Sequence, residues 1–396
     1  MPFVIYILGL AVFAQGTSEF MLSGLVPDIA AELNVSVPAA GALTSAFAVG
    51  MIVGAPLMAV LSLRWPRRRA LLVFLLGFLI VHVVGAVSTS FAVLVTTRVL
   101  GALANAGFLA VGLATATSMV EPNAKGRATS VLLSGITLAC VAGVPAGAVL
   151  GQAFGWRSAF WAVAVVSAPA AYGILRSVPN TVPASGTAAA PSARRESRVL
   201  RRPRLLVLLL CGALVNAGTF CTFTYLAPLV TEVSGLTPAW VPAALALFGL
   251  GSFAGVTVGG RMADSRPLRL LIPGGIVLLA GWLLGTVAAG SASVVFPLVF
   301  VQGALSFAVG STLIAQVLYA ATEAPSLGGA FATAALNVGA AVGPALGGLA
   351  IGAGLGFRSP LGVSALLVAA AFVAAGAAEV LRRIRSSSAD QVLISR

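Results

Sequence analysis

The chain is predicted to be an all-α integral membrane protein whose twelve helices cross the bilayer in two halves of six. Three observations predict this. Of 396 residues, 59% are hydrophobic and 8% charged, with a mean hydropathy of +1.06, well outside the composition of soluble domains. Apolar stretches of about 20 residues, the length a helix needs to cross the hydrocarbon layer, follow one another along the whole sequence. A single polar stretch interrupts them near the midpoint.

In order, the spans fall at roughly 4–26, 38–61, 70–89, 91–118, 127–150, 157–176, 204–230, 239–260, 269–289, 293–319, 327–353 and 359–380. They group as an N-terminal half over 1–177 and a C-terminal half over 204–385, with a tail over 386–396. The link over 178–203 is dominated by Pro, Ser, Ala and Arg and reads as a flexible cytoplasmic connector. Span 1 carries Glu19 and lacks both a basic leader and a small-x-small cleavage site, so it is expected to be retained.

The formal net charge of +13 reports topology. Arg64, Arg67, Arg68 and Arg69 follow span 2, Lys125 and Arg127 follow span 4, and arginines from Arg176 to Arg204 flank the link. Arg261, Arg266 and Arg269 follow span 8, and Arg382, Arg383, Arg385 and Arg396 follow span 12, while the other side has Arg157 and Arg358. The positive-inside rule then puts both termini in the cytoplasm, and no nucleic-acid partner is implied. Cys211 and Cys221 lie ten residues apart on one predicted helix, about 15 Å along its axis. That separation is too wide for a disulfide, and Cys140 also reads as a small packing residue.

The halves echo each other at an offset near 200. G-A-L at 101–103 recurs at 303–305, the turn at Arg64 matches that at Arg266, and G-V-P-A-G at 143–147 resembles G-P-A-L-G-G at 343–348. A shared offset in corresponding spans points to duplication, and parallel six-span repeats place a binding site near the midplane between them.

Chemistry is concentrated at a few polar positions. A carboxylate at the bilayer centre costs about 3 kcal/mol, which makes Glu19 a functional candidate. Gln15, Glu19 and Ser23 follow at i, i+4 and i+8, a polar stripe that should face protein or a water-filled cavity. Burial penalises the charged form, as suits a group that binds and releases a proton. Structural satisfaction by hydroxyls or an arginine is the alternative. Asp28 follows Pro27, which marks a helix end or kink, and reads on position as an aspartate at the outer face. Arg98, about two turns into span 4, is the one arginine placed inside the membrane and needs a carboxylate or backbone carbonyls as partner. Proton coupling and a structural pin both satisfy that need. Asn105 lies seven residues on, near the same face.

Asn216, Gln302 and Asn337 are isolated amides, and Phe223 and Tyr225 add aromatic surface. Apolar walls with a few polar groups suit an amphipathic small molecule, although amides also tie helices together. Gly135, Gly143, Gly147 and Gly151 fall on one side of span 5 and allow close helix contact, and Pro145 allows a kink. His82, the sole histidine, reads as an interfacial packing residue. A single histidine, no paired metal ligands and no nucleophile–base grouping argue against an enzyme, and no cofactor or metal is expected. The chain lacks G-x-x-x-x-G-K-[ST], so ATP is not the direct energy source. A receptor is disfavoured by the duplication and by the lack of room for an output domain.

The motifs resemble those of the major facilitator superfamily. G-G-R-M-A-D at 259–264 is similar to its loop signature, whereas the matching loop after span 2, V-L-S-L-R-W-P-R-R-R, has Leu63 where an aspartate is usual. R-V-L-G-A-L-A-N-A-G at 98–107 resembles the arginine motif of span 4, and G-V-P-A-G-A-V-L-G at 143–151 the antiporter motif of span 5, with Val144 interrupting its Gly–Pro. G-T-S-E-F-M-L-S-G-L-V-P-D-I-A at 16–30, A-L-A-N-A-G-F-L-A-V-G, S-F-A-V-G-S-T-L-I and A-T-A-A-L-N-V-G-A-A-V-G-P are most similar to the drug:proton antiporters that confer chloramphenicol resistance.

The resemblance implies the major facilitator fold and a monomer in the bacterial cytoplasmic membrane. It implies export of an amphipathic drug, with chloramphenicol the leading substrate, in exchange for protons by alternating access. Glu19, Asp28 and Arg98 would then couple protons. Gln15, Asn105, Asn216, Phe223, Tyr225, Gln302 and Asn337 would meet the drug. Arg64, Asp264, Gly143, Pro145, Gly343 and Pro344 would gate. A sugar or metabolite exporter of the same superfamily, or a proton-coupled uptake symporter, is the alternative.

Overall fold

Backbone groups inside a bilayer find no water, so an apolar chain must satisfy them internally, and helices do so within one segment. The computed structural model describes residues 2–62, 65–121, 124–180, 203–263, 267–321 and 325–394. Among these, twelve helical spans are long and apolar enough to cross a membrane. They are Phe3–Gly24, Val37–Ala55, Arg67–Val87, Phe91–Ser118, Lys125–Phe154, Arg157–Ser177, Pro203–Thr224, Pro238–Met262, Pro267–Ala288, Ala292–Ala320, Phe331–Leu355 and Ser359–Leu381, numbered 1 to 12 below. An even number of crossings puts both ends on one face. This proximal face also carries the turns after even-numbered spans, and the distal face carries those after odd-numbered ones.

Two predicted spans stop as α-helix before their predicted ends, while span 5 widens to a π-turn over Ala139–Gly143 and continues. Instead of one helix over 4–26, span 1 ends as α-helix at Phe20, continues as a 3₁₀ turn over Met21–Gly24, and restarts as Val26–Glu32. Pro27 cannot donate to the ladder and sits at the start of the new helix, where no donor is needed. The restart ends on Asn34, whose φ of 53° is a left-handed cap that Asn tolerates. Span 7, predicted over 204–230, breaks in the same way. Its helix stops at Thr224, a short Leu226–Pro228 turn follows, and the chain widens to a π-turn over Leu229–Val233. The helix containing span 12 runs on from Ser359 to Ile394, through the segment predicted as a tail. Residues 181–202 of the predicted link, together with Arg64 and Asp264, lie outside the described residues.

Packing follows the duplication. In the first half span 2 packs on span 4, span 3 on spans 4 and 6, and span 1 on spans 5 and 6. In the second half span 8 packs on span 10, span 9 on spans 10 and 12, and span 7 on spans 11 and 12. Each pair recurs six spans later. The halves meet through span 2 on span 11 and span 5 on span 8, two contacts exchanged by the same repeat.

Small residues set these approaches. A Cβ on Gly135 would meet the Phe13 nitrogen at 2.8 Å, and one on Gly147 would touch Met21, so span 5 lies close on span 1. Gly339 and Gly343 do the same for span 11 on span 7, where a Cβ would meet the Ala217 nitrogen or carbonyl carbon at 2.9 Å. Inside the distal half Ser45 Oγ donates to the Ala341 carbonyl oxygen at 2.7 Å, and at the distal face Gln152 Nε2 donates to that of Pro238 at 2.6 Å. Arg157 pairs there with Glu32, donates to the Ser88 carbonyl oxygen at 2.8 Å and covers the Trp156 ring, tying together the ends of spans 1, 3 and 5.

Candidate functional site

Span 1 turns Ser18 toward spans 3 and 4 and Thr17 toward span 5. Gln15 is buried and neither its amide nitrogen nor its oxygen has a protein partner. Ser18 is fully buried. Glu19, in the last turn before the helix breaks, keeps part of its surface open, whereas Gln15, Thr17 and Ser18 do not. Ser23 is buried in the 3₁₀ turn. That turn has a different rise and twist from an α-helix, so the predicted stripe runs on one register only from Gln15 to Glu19.

Arg98 is buried to 2% exposure. Its Nη1 donates to Ser18 Oγ at 2.9 Å and its Nη2 reaches the Glu19 backbone oxygen at 3.5 Å. The guanidinium lies 4.4 Å from the centre of the Phe47 ring, a cation–π contact from span 2. Among the described residues no ion pair within 4.0 Å joins Arg98 to the Glu19 carboxylate. Of the two predicted partner types the arginine takes the backbone carbonyl rather than the carboxylate, and it adds a hydroxyl that the sequence reading did not offer it. Two turns further on, Asn105 donates to Met51 Sδ at 3.5 Å and its oxygen has no partner.

His82 is not at an interface with water. It is 3% exposed, with Nε2 2.6 Å from Ser18 Oγ and Nδ1 2.7 Å from the Phe78 carbonyl oxygen. The packing reading from sequence is thus corrected: span 3 delivers this imidazole to the hydroxyl that Arg98 also holds. Insertion cost, the signal that singled out Glu19, applied to His82 as well.

An aromatic series starts beside Glu19 and enters the second half. Phe20 stacks on Phe220 with ring centres 5.7 Å apart, Phe220 meets Phe223 edge-on, and Phe223 stacks on Phe248 at 4.4 Å. Phe223 and Phe248 line an apolar recess with Leu226, Trp282, Val299 and Gln302. Gln302 donates to the Leu278 carbonyl oxygen at 3.0 Å, and its own oxygen and the Trp282 indole nitrogen are buried without partners. Phe20, Phe220, Phe248 and Trp282 were not singled out from sequence, because aromatic residues in an apolar helix carry no pattern of their own.

Other predicted positions lie apart from this cluster. Asp28 is exposed in the first turn of the Val26–Glu32 helix. Tyr225 is not open to a cavity: it is 1% exposed, donates to the Pro344 carbonyl oxygen at 2.9 Å, and wedges its ring between Gly41 of span 2 and Gly348 of span 11. Asn216 ties span 7 to span 11 through the Leu336 carbonyl oxygen at 2.7 Å, and Asn337 bonds Thr333 of its own helix. Gly143 closes a π-turn over Ala139–Gly143 directly against Thr17, and Pro145 starts the helix that follows.

The family model for the Major Facilitator Superfamily matches residues 8–334. The chain belongs to the Major Facilitator Superfamily. A chloramphenicol resistance protein of Streptomyces lividans is 56% identical over 375 residues, 95% of this chain and 96% of the relative. The inner membrane transport protein YdhP of Escherichia coli strain K12 is 36% identical over 352 residues, 88% and 89% of the two chains. A probable sugar efflux transporter of Mannheimia succiniciproducens is 27% identical over 346 residues, 87% and 86%. Among solved structures, a bacterial homologue of the human lysosomal transporter Spinster, inward-facing and unoccupied, superposes with a TM-score of 0.75 at 17% identity, covering 95% of this chain and 96% of the other. That likeness concerns the fold. As a member of the superfamily the chain is a multi-pass membrane transporter.

Proposed function

We propose that this transporter exports chloramphenicol or a closely similar amphipathic drug in exchange for protons, by alternating access. The observation that carries the reading is the 56% identity, over 95% of the chain, to a relative described as a chloramphenicol resistance protein. The sugar efflux relative stands at 27%. We place the protein in the bacterial cytoplasmic membrane with cytoplasmic termini, on the arginine distribution of its loops, and take the single chain as the transporting unit.

In this reading the apolar body of the drug packs on the aromatic series from Phe20 to Phe248, and the recess beside it, about 20 Å³ here, has to widen to admit it. The unpartnered polar atoms of Gln302, Gln15 and Asn105 supply the few hydrogen bonds that orient it. Contacts between the halves at Ser45–Ala341, Gln152–Pro238 and Gly41–Tyr225 fit a state closed on the distal face. A charged Glu19 there favours drug entry from the proximal side. After reorientation a proton from outside neutralises the carboxylate and the drug leaves. The neutral group then returns without the cost of carrying a bare charge through a closed interior. Asp28, exposed at the distal end, stands where an outside proton would first arrive.

The test is accumulation of labelled chloramphenicol in cells stripped of their own efflux pumps, with and without this protein, before and after a protonophore. Low accumulation that rises when the gradient collapses supports the reading. Unchanged accumulation with the protein present in the membrane removes chloramphenicol as substrate and brings the sugar or metabolite exporter forward.

A further inference from the structure

We propose that His82 is a positioning residue that fixes the Ser18 hydroxyl and, through it, holds the Arg98 guanidinium off the Glu19 carboxylate. The geometry stands on its own, and the consequence for transport rests on the proton-exchange reading. His82 Nδ1 faces the Phe78 carbonyl oxygen at 2.7 Å. A carbonyl oxygen only accepts, so Nδ1 carries the proton. Ser18 Oγ receives an N–H from Arg98 Nη1 at 2.9 Å, and a guanidinium only donates. The hydroxyl proton of Ser18 therefore points at His82 Nε2, 2.6 Å away, which must offer a lone pair. The donors run one way, from Arg98 to Ser18 to His82 to the Phe78 carbonyl, and the ring is the uncharged Nδ1–H tautomer.

The surroundings hold that arrangement. The Phe78 ring lies 4.2 Å and the Phe160 ring 5.7 Å from the imidazole, centre to centre, so spans 3 and 6 fix its plane. Gly101 of span 4 approaches the imidazole Cε1 without crowding it. The charged groups nearby are Arg98 from span 4 and Glu19 from span 1. Phe47 from span 2 and Phe160 from span 6 present only rings. A second proton on His82 would aim a donor at an oxygen already accepting from Arg98 and place a positive charge at each end of one serine. Without His82 the Ser18 hydroxyl is free to rotate and Arg98 loses its fixed partner. A freed guanidinium has the Glu19 carboxylate to turn to, on the residue whose backbone oxygen Nη2 already reaches, and an ion pair there would hold Glu19 charged and stop proton exchange.

This chain has one histidine, so ¹⁵N-histidine labelling of the whole protein in lipid nanodiscs yields ring signals from His82 alone. The expected spectrum has a protonated Nδ1 and a bare Nε2 whose shift moves in Ser18→Ala. A protonated Nε2, or a doubly protonated ring, would overturn the proposal without any variant having to fold. In proteoliposomes His82→Leu is expected to lose gradient-driven export roughly tenfold, the scale of leaving a charged donor unpaired, while binding of labelled chloramphenicol persists. His82→Gln, which returns an acceptor at the Nε2 position, is expected to recover most of the loss. Export by His82→Leu at the native rate would overturn the proposal. If the native protein itself shows no gradient-driven export, the exchange reading fails and the spectrum still decides the hydrogen-bond chain.

Discussion

Ser18 is the smallest residue of the buried cluster and has two partners that depend on it. It bonds both Arg98 and His82, so Ser18→Ala leaves a charged donor and a ring nitrogen unpaired in an apolar setting. The expected cost is about 1–3 kcal/mol, read as a lower midpoint in thermal unfolding of the purified protein. Arg98→Lys is expected to do comparable harm despite keeping the charge. An ammonium has neither the two-armed reach to Ser18 and the Glu19 carbonyl nor the flat face that lies on Phe47. Glu19, Arg98, Gln15 and Asn105 were legible in the sequence because polar groups are costly in hydrocarbon, and the fold buries three of them and leaves Glu19 partly open. Ser18 was not, since a hydroxyl beside a carboxylate is unremarkable until its partners arrive from 64 and 80 residues away. Tyr225 was read as open aromatic surface. Its burial depends on glycines in two other spans, which no single helix reveals.

Two glycines show how little a helix tolerates at a contact and how much away from one. A Cβ on Gly343 would run into the Ala217 backbone, whereas one on Gly77 would meet nothing within 4 Å. Gly343→Ala is expected to destabilise by about 1–3 kcal/mol through overpacking against backbone. Gly77→Ala is expected to be neutral or to stabilise by up to about 1 kcal/mol through helix propensity. Unfolding midpoints of the two variants, measured side by side, check both, and equal midpoints would remove the packing explanation. Span positions were readable from hydropathy to within a few residues. The breaks at Phe20 and Thr224 were not, because residues on both sides of each break are apolar and a window average runs straight through. Pro27 and Pro228 mark the sites, but prolines inside spans 6, 9 and 10 leave their helices unbroken, so proline alone does not separate the cases.

At the scale of the molecule, the repeat visible as an offset near 200 appears as packing pairs that recur six spans later. Which faces of the halves meet was hidden from sequence, since lipid-facing and buried surfaces are equally apolar in a membrane protein. The contacts that join the halves on the distal face are few and specific, as suits an interface that must open. Ser45→Ala combined with Gln152→Ala removes the side-chain donors to Ala341 and Pro238. The double variant is expected to shift the protein toward distal opening, seen as faster labelling of a cysteine placed at buried Thr44 by a membrane-impermeant reagent. No change in labelling would mean that these bonds do not hold the face shut. The measurement that bears most directly on function is chloramphenicol movement against its own gradient in proteoliposomes under an imposed pH difference, for the native protein and Glu19→Gln. Uphill movement by the native protein and none by Glu19→Gln, with both equally folded, is the expected result. Uphill movement by Glu19→Gln, or none by the native protein, would contradict proton-coupled export through Glu19.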